Sequence, residues 1–224
     1  MRPLRVDDLG LRPYWEVLEL QRELRRCRIE GTLAEDVLLL VEHPPVVTLG
    51  RGTRGSSLPL APAALGCRGV EVFEVERGGD VTLHAPGQLV GYPILDLRQH
   101  RQDLHWYLRS LEDVLIQALD SLGIEAGRNS GRTGVWTAGR KIASMGIHVK
   151  QWVTLHGFAL NVTTDLDLFD LIVPCGIPQV VMTSVAAELL REGDEALMAS
   201  VKEKVIGAFC DVFETSVTAA TGTI

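Results

Sequence analysis

Lys141-Ile142-Ala143-Ser144-Met145-Gly146-Ile147-His148-Val149 and Val153-Thr154-Leu155-His156-Gly157-Phe158-Ala159-Leu160-Asn161-Val162 are two extended runs joined across Lys150-Gln151. A connection that short between two β-rich runs predicts an antiparallel hairpin. With a period of two, Lys141, Ala143, Met145 and Ile147 share one face of the first strand. Upstream, Val37–Val41, Val46–Leu49, Val70–Val75, Val81–His84, Leu89–Leu97 and Val135–Thr137 also read as strands. Pro13 to Arg28 predicts a helix stopped at Gly31. Leu104, Leu108, Leu111, Val114, Leu115, Ala118, Leu119 and Leu122 predict a second, capped by Asp103 and stopped at Gly123. Asp165–Leu171 reads as a helical turn, and Thr183–Leu190 and Asp194–Glu214 as C-terminal helices. Gly50–Leu65 and Arg128–Gly134 read as loops. Helices interleaved with strands and hairpins predict an α/β (α+β) chain: a mixed, largely antiparallel sheet flanked by helices.

The 224 residues fit one domain over 1–224, with 215–224, free of charge and periodicity after Glu214, as a flexible tail. A hydrophobic content of 46% supports a sizeable core. No apolar run approaches the ~20 residues of a membrane span, and the N-terminus lacks a signal-peptide pattern. The expected location is therefore cytoplasmic, with no membrane partner. A net charge of −7 argues against a nucleic-acid partner. From Glu125 to Lys150, however, Arg128, Arg132, Arg140, Lys141 and Lys150 face one acid, Glu125, which suggests a local basic patch. Cys27, Cys67, Cys175 and Cys210 form no CxxC pair and match no zinc spacing, so no metal is expected.

Cys175 stands in Val173-Pro174-Cys175-Gly176-Ile177-Pro178, a stiff segment with a glycine beside the thiol. That suits a presented nucleophile, which must act as a thiolate and so needs a base or cation nearby. Lys141, on an otherwise apolar strand face, is the first candidate; His84 and His156 follow. The turn Arg77-Gly78-Gly79 offers backbone N–H groups able to hold a carbonyl oxygen or an anion.

These residues carry a resemblance. Arg77-Gly78-Gly79-Asp80-Val81-Thr82-Leu83-His84-Ala85-Pro86-Gly87-Gln88-Leu89-Val90-Gly91-Tyr92-Pro93 resembles the RGGxVTxHxPGQLVxYP signature of the lipoyl(octanoyl) transferases, the octanoyl-acyl-carrier-protein:protein N-octanoyltransferases. Gly139–Gly146 resembles the family's lysine strand. His156–Val162, Pro174-Cys175-Gly176 and the early Glu42–Arg51 resemble three further motifs, all in the family's order. Leu83 stands where the family commonly has tyrosine, and Ala85 where it commonly has glycine.

The resemblance implies a biotin/lipoate ligase catalytic-domain-like fold and a two-step acyl transfer in protein lipoylation and lipoate biosynthesis. The Cys175 thiolate takes the octanoyl group from octanoyl-acyl carrier protein, and a lipoyl-domain lysine then takes it from Cys175. Lys141 is the implied partner that makes the thiolate. The implied substrate-binding residues are Arg77, Gly78, Gly79, Asp80, Val81, Thr82, Leu83 and His84, with Ser144, Met145 and Gly146, and Gly157, Phe158 and Ala159. Val81, Leu83, Met145 and Phe158 are expected to line the acyl slot. Gly78, Gly79 and Gly176 are expected to supply oxyanion donors. The acceptors implied are the lipoyl domains of 2-oxoacid dehydrogenase and glycine cleavage proteins. Thioester exchange is nearly balanced and thioester-to-amide transfer runs downhill, so no cofactor is implied. Three rival readings stand beside it: an ATP-dependent lipoate or biotin protein ligase, which needs no cysteine; a cysteine acyl-thioester hydrolase using Cys175 with His84 or His156; and a non-catalytic acyl- or lipoyl-domain-binding module.

Overall fold

The structure, a computed structural model, describes residues 1–173 and 180–218. Cys175 and Gly176 lie outside the described residues, as do residues 219–224.

The middle of the main sheet is built from β2 (Asp36–Glu42), β6 (Gln88–Ile94) and β10 (Val153–Asn161), almost entirely buried. Burial on both faces is why these segments read as apolar runs rather than as alternating patterns. Leu38, Leu40, Leu89, Phe158 and Leu160 face α3 (Leu104–Asp120) and α5 (Leu197–Phe213) in one core. Val37, Leu39, Val41 and Val90 face α1 (Tyr14–Glu30) in another. The strand order, including β1 (Arg2–Leu11), β7 (Gly127–Asn129), β8 (Arg132–Thr137), β9 (Arg140–Lys150) and β11 (Thr215–Val217), is β11-β1-β2-β6-β10-β9-β8-β7. In this sheet, among the described residues, β1 pairs in parallel with β11 and with β2, and the other neighbouring strands pair antiparallel. A smaller sheet, β4 (Glu71–Glu74), β3 (Val46–Leu49) and β5 (Val81–His84), stands beside it in the order β4-β3-β5. The mixed, largely antiparallel sheet flanked by helices is thus observed. Among the described residues, no helix is long and apolar enough to cross a membrane.

Local signals act as their chemistry predicts. The Asp103 carboxylate accepts from the N–H groups of His105 and Trp106 and caps α3. Gly31 ends α1 in the left-handed region, with its N–H donated to the Cys27 carbonyl. The β9–β10 hairpin turns through Gln151 and Trp152, at φ 50° and 64°.

Three expectations are corrected. Thr215–Val217 are not a free tail: they form β11, pairing with Arg2, Pro3 and Leu4. The stretch read as an Arg128–Gly134 loop instead forms β7, a turn and the start of β8. The segment Gly50–Leu65 contains a 3-10 turn at Gly55–Ser57 and the start of α2 (Pro62–Gly66). β1 carries no sequence signal of its own: only Leu4 is fully buried along it, and its charges pair locally and across elements, as in Arg5–Asp7 and Lys202–Asp8.

Candidate active site

A cavity of about 320 Å³ opens between the two sheets, within the ~300–1,000 Å³ range of ligand pockets. Residues 144–147 of β9 and 156–159 of β10 form one wall. The turn and strand of residues 77–82, with His84, form the facing lip. Tyr14, Val90 and Tyr92 border it as well, together with Leu108 and residues 131–133.

The lip is held in place by backbone and arginine. Arg77 is buried and donates to the Thr48 carbonyl (2.6 Å) and the Thr48 hydroxyl (2.9 Å), which ties it to β3. The Gly78 N–H donates to the Ile147 carbonyl at 2.9 Å, clamping the turn onto β9. Gly79 takes φ 82°, a left-handed conformation suited to glycine. Asp80 caps its own strand by accepting from the Val81 N–H at 2.7 Å, and accepts from the Ser57 hydroxyl at 2.6 Å. The Ser57 carbonyl in turn accepts from the Val173 N–H at 2.9 Å. The chain just before the Pro-Cys-Gly segment is therefore anchored to the lip.

The chain after that segment is anchored to Lys141. The Lys141 N–H donates to the Val181 carbonyl (2.8 Å), and the Thr183 N–H donates to the Lys141 carbonyl (2.9 Å). Lys141 itself is 1% exposed, with Nζ 5.6 Å from the centre of the Trp136 ring. It is not one of the cavity-lining residues; it lies on β9 just before the wall formed by Ser144 and Met145. Nor does it continue the apolar face of Ala143, Met145 and Ile147. A bulge pairs Val135 with Ala143 but Trp136 with Lys141, so Ile142 is the extra residue and the alternation breaks there.

The histidines are neutral parts of polar networks. His84 Nδ1 lies 2.7 Å from Gln88 Oε1. The Gln88 amide nitrogen donates to Asn161 Oδ1 at 2.9 Å, so its oxygen faces His84 and the histidine carries its proton on Nδ1. Asn161 passes the network on by donating to the Thr183 carbonyl at 3.0 Å. His43 bridges the Arg12 carbonyl and the Tyr92 hydroxyl. Burial pushes the His84 ring down to about 3, assisted by neighbouring His43, and pushes His43 down to about 4. His156 is also pushed below the usual histidine range by burial, opposed by Glu76, whose carboxylate lies 3.8 Å from Nε2. His156 sits at φ 60° in the middle of β10, its N–H donated sideways to Gln21 Oε1 at 3.0 Å. Such a conformation costs a non-glycine residue of order 1–3 kcal/mol.

These histidines make stability depend on pH. A base whose native pKa is depressed takes up its proton first in the unfolded chain. Its full contribution is present above pH ~6.5 and is lost as the pH falls toward the native value. The slope is about 1.4 kcal/mol per pH unit for each such histidine. His84→Gln is therefore expected to shrink the drop in urea midpoint between pH 7 and pH 5. Equal drops in variant and parent would show that His84 is not the titrating group.

Of the substrate-binding residues expected from sequence, thirteen of fourteen border the cavity. Leu83 does not. It is fully buried in the small sheet's core with Val47, Leu65 and Phe169. The N–H of Gly78, expected as an oxyanion donor, is committed to Ile147, which leaves the Gly79 N–H as the turn's other candidate. The basic patch is also corrected: Arg128 is taken up by Glu112 and Asp113, and Arg140 by Glu188. Nothing in the sequence placed Tyr14, Leu108 and residues 131–133 at the cavity, because only the tertiary fold brings their elements to it.

This sheet, with its cavity between two layers, defines the lipoate- and biotin-ligase catalytic fold. The chain superposes on lipoate-protein ligase A bound with ATP (TM-score 0.76, 16% identity, covering 100% of this chain and 90% of the other). It also superposes on biotin protein ligase from Aquifex aeolicus (TM-score 0.52, 13% identity, 96% and 69%). The family model described as the lipoyl protein ligase A/B catalytic domain matches residues 13–210, and the chain belongs to that family. Its relatives include proteins named octanoyltransferase: one from Gloeobacter violaceus, 49% identical over 204 residues (90% of each chain), and one from Solibacter usitatus, 48% identical over 214 residues (96% and 94%).

Proposed function

We propose that the protein is an octanoyltransferase of protein lipoylation, working through an octanoyl thioester on Cys175. The observation that carries this is the tether on both sides of the Cys175 segment: Val173 to the lip, and Val181 and Thr183 to the buried Lys141, beside an apolar slot. In the first step the thiolate attacks the thioester carbonyl of octanoyl-acyl carrier protein. A carbon–sulfur bond forms to Cys175, and the bond to the carrier's sulfur breaks. The Lys141 ammonium gives its proton to the departing thiolate. In the second step the ε-amine of a lipoyl-domain lysine attacks the acyl-enzyme. A carbon–nitrogen bond forms, the bond to Cys175 breaks, and Lys141 receives the amine's proton. Residues 77–80 cover the reacting carbonyl, and the wall from Met145 and Phe158 holds the alkyl chain away from water. The acceptors are lipoyl domains of 2-oxoacid dehydrogenase and glycine cleavage proteins. A free thiol nucleophile fits the reducing cytoplasm. The names of the relatives favour this reading over the ATP-dependent ligase that the fold alone permits.

Intact mass after mixing with octanoyl-acyl carrier protein tests it. The parent is expected to gain one octanoyl group that a lipoyl domain then removes, and Cys175→Ser to gain none. A parent without adduct, or an adduct that survives in Cys175→Ser, would sink the assignment. An adduct lost to water as fast as to a lipoyl domain would instead identify the hydrolase.

Carrier proteins and lipoyl domains are acidic, so a net-acidic enzyme needs cations near the slot. Arg132 borders the cavity, and the Arg51 N–H donates to the Arg77 carbonyl at 3.0 Å. Arg25 Nη1 lies 3.1 Å from His148 Nδ1, next to Ile147. None of the three belongs to an ion pair among the described residues. Reversing Arg25 and Arg51 to Glu is expected to raise KM for the carrier protein about tenfold at low salt, with turnover of a neutral octanoyl N-acetylcysteamine thioester unchanged. An unaltered carrier KM would remove this surface from the reading.

A further inference from the structure

We propose that Gly134 and Trp136 of β8 form a cradle that positions the Lys141 ammonium, and that they are positioning residues for acyl transfer. The inference rests on the Cys175–Lys141 reading above and deepens it.

The bulge at Ile142 sets Trp136 directly opposite Lys141 in the β8–β9 ladder. Nζ then lies 5.6 Å from the centre of an indole that is 5% exposed. At that range the ring face attracts a cation, more strongly when water is excluded. Arg132 Cζ lies 5.7 Å from the same ring, so Trp136 links a cation at the cavity rim to the buried one behind its wall.

The second wall of the cradle is an absence of side chain. A Cβ added at Gly134 would lie 2.7 Å from Lys141 Cε and 3.2 Å from Nζ, and 2.6 Å from the Ala143 carbonyl. Gly134 also takes φ 126°, which L side chains rarely adopt. The space that glycine leaves is the space the end of the lysine occupies. The backbone there is fixed independently. The Gly134 N–H donates to Glu112 Oε1 at 3.1 Å, and Glu112 is fully buried and held by Arg109 (2.6 Å) and Arg128 (2.8 Å). A long, flexible side chain is therefore held in one place: ring on one side, backbone on another, and its own main chain bonded to Val181 and Thr183. An amine that must both stabilise a thiolate and exchange protons gains from such placement, because misplacement of about 1 Å can cost ~10² in rate.

Peptide-resolved alkylation of Cys175 by iodoacetamide, followed against pH, tests the cradle together with steady-state kinetics on octanoyl-acyl carrier protein. Trp136→Leu is expected to move the alkylation midpoint up toward the ~8.5 of a free thiol. It should lower kcat about 10- to 100-fold with KM within twofold. Trp136→Phe, which keeps a ring face, should recover most of both. Gly134→Ala should act as Trp136→Leu does, by displacing the lysine rather than uncovering it. Lys141→Met is the reference. If it shifts the midpoint while both Trp136→Leu and Gly134→Ala leave midpoint and kcat within twofold of the parent, the cradle is wrong and the dyad stands. If Lys141→Met itself leaves the midpoint in place, the dyad reading fails and the cradle falls with it. Should Trp136→Leu fail to fold, Trp136→Phe and Gly134→Ala decide: parental behaviour in Gly134→Ala overturns the cradle.

Discussion

Lys141→Ala is expected to slow octanoyl transfer by about 10²–10⁴, the range a positioned proton-transfer group contributes, while the protein stays folded. The two parts of the expectation have separate causes. The bonds joining Lys141 to Val181 and Thr183 are backbone bonds, so the tether survives loss of the side chain. What disappears is an amine buried to 1% exposure beside the Trp136 ring. Lys141→Arg should not rescue: a guanidinium stays protonated and is a planar fork where the site is shaped for a slim chain ending. Single-turnover acyl-enzyme formation is the measurement. A Lys141→Ala rate within about threefold of the parent would exclude the lysine from proton transfer.

Asp36→Ala is expected to produce the largest loss of stability, about 3–5 kcal/mol. Asp36 is 1% exposed at the start of β2 and gathers four donors. Arg28 Nη2 lies at 3.0 Å and Arg28 Nε at 3.3 Å, His100 Nε2 at 2.6 Å, and the Asp96 N–H at 3.1 Å. Together they tie α1, the central sheet and the segment after β6 at one point. Without the carboxylate, the Arg28 guanidinium remains buried and keeps, among the described residues, the Leu33 carbonyl and the Gln99 amide oxygen as hydrogen-bond partners. The penalty comes from that stranded charge more than from the lost bonds. The double variant Arg28→Met/Asp36→Leu is therefore expected to recover much of the loss. Urea unfolding of the three proteins checks this. A single-variant loss below about 1 kcal/mol, or a double variant no better than the single, would show the pair is not the keystone described.

The elements legible in the sequence are those whose signals are local. α3 declares itself by its apolar spacing and its Asp103 cap, and β9 and β10 by their short turn at Gln151 and Trp152. The cavity lip was legible through the resemblance of Arg77–Pro93 to a family signature; the Arg-Gly-Gly turn by itself is a weak signal. β1 and β11 were not legible, because β1 is held by pairing with β2 and with the far end of the chain, and β11 by pairing with β1. The same distinction governs the site. Residue types alone nominated Lys141, His84 and the turn at residues 77–79. They could not reveal that Leu83 belongs to a different core, that the Gly78 N–H is already bonded, or that Arg128 is neutralised by Glu112 and Asp113.

The sequence by itself determined the sheet class, the start of α3, the stop of α1 and the chemistry available, because periodicity, caps and side-chain types act over a few neighbouring residues. Only the tertiary structure decided where Lys141 stands. A one-residue bulge at Ile142 removes it from the apolar face that strict alternation assigned and seats it against Trp136 and Gly134. A register shift of one residue changes which neighbours a side chain meets, and that register is set by pairing between strands, which no local pattern encodes.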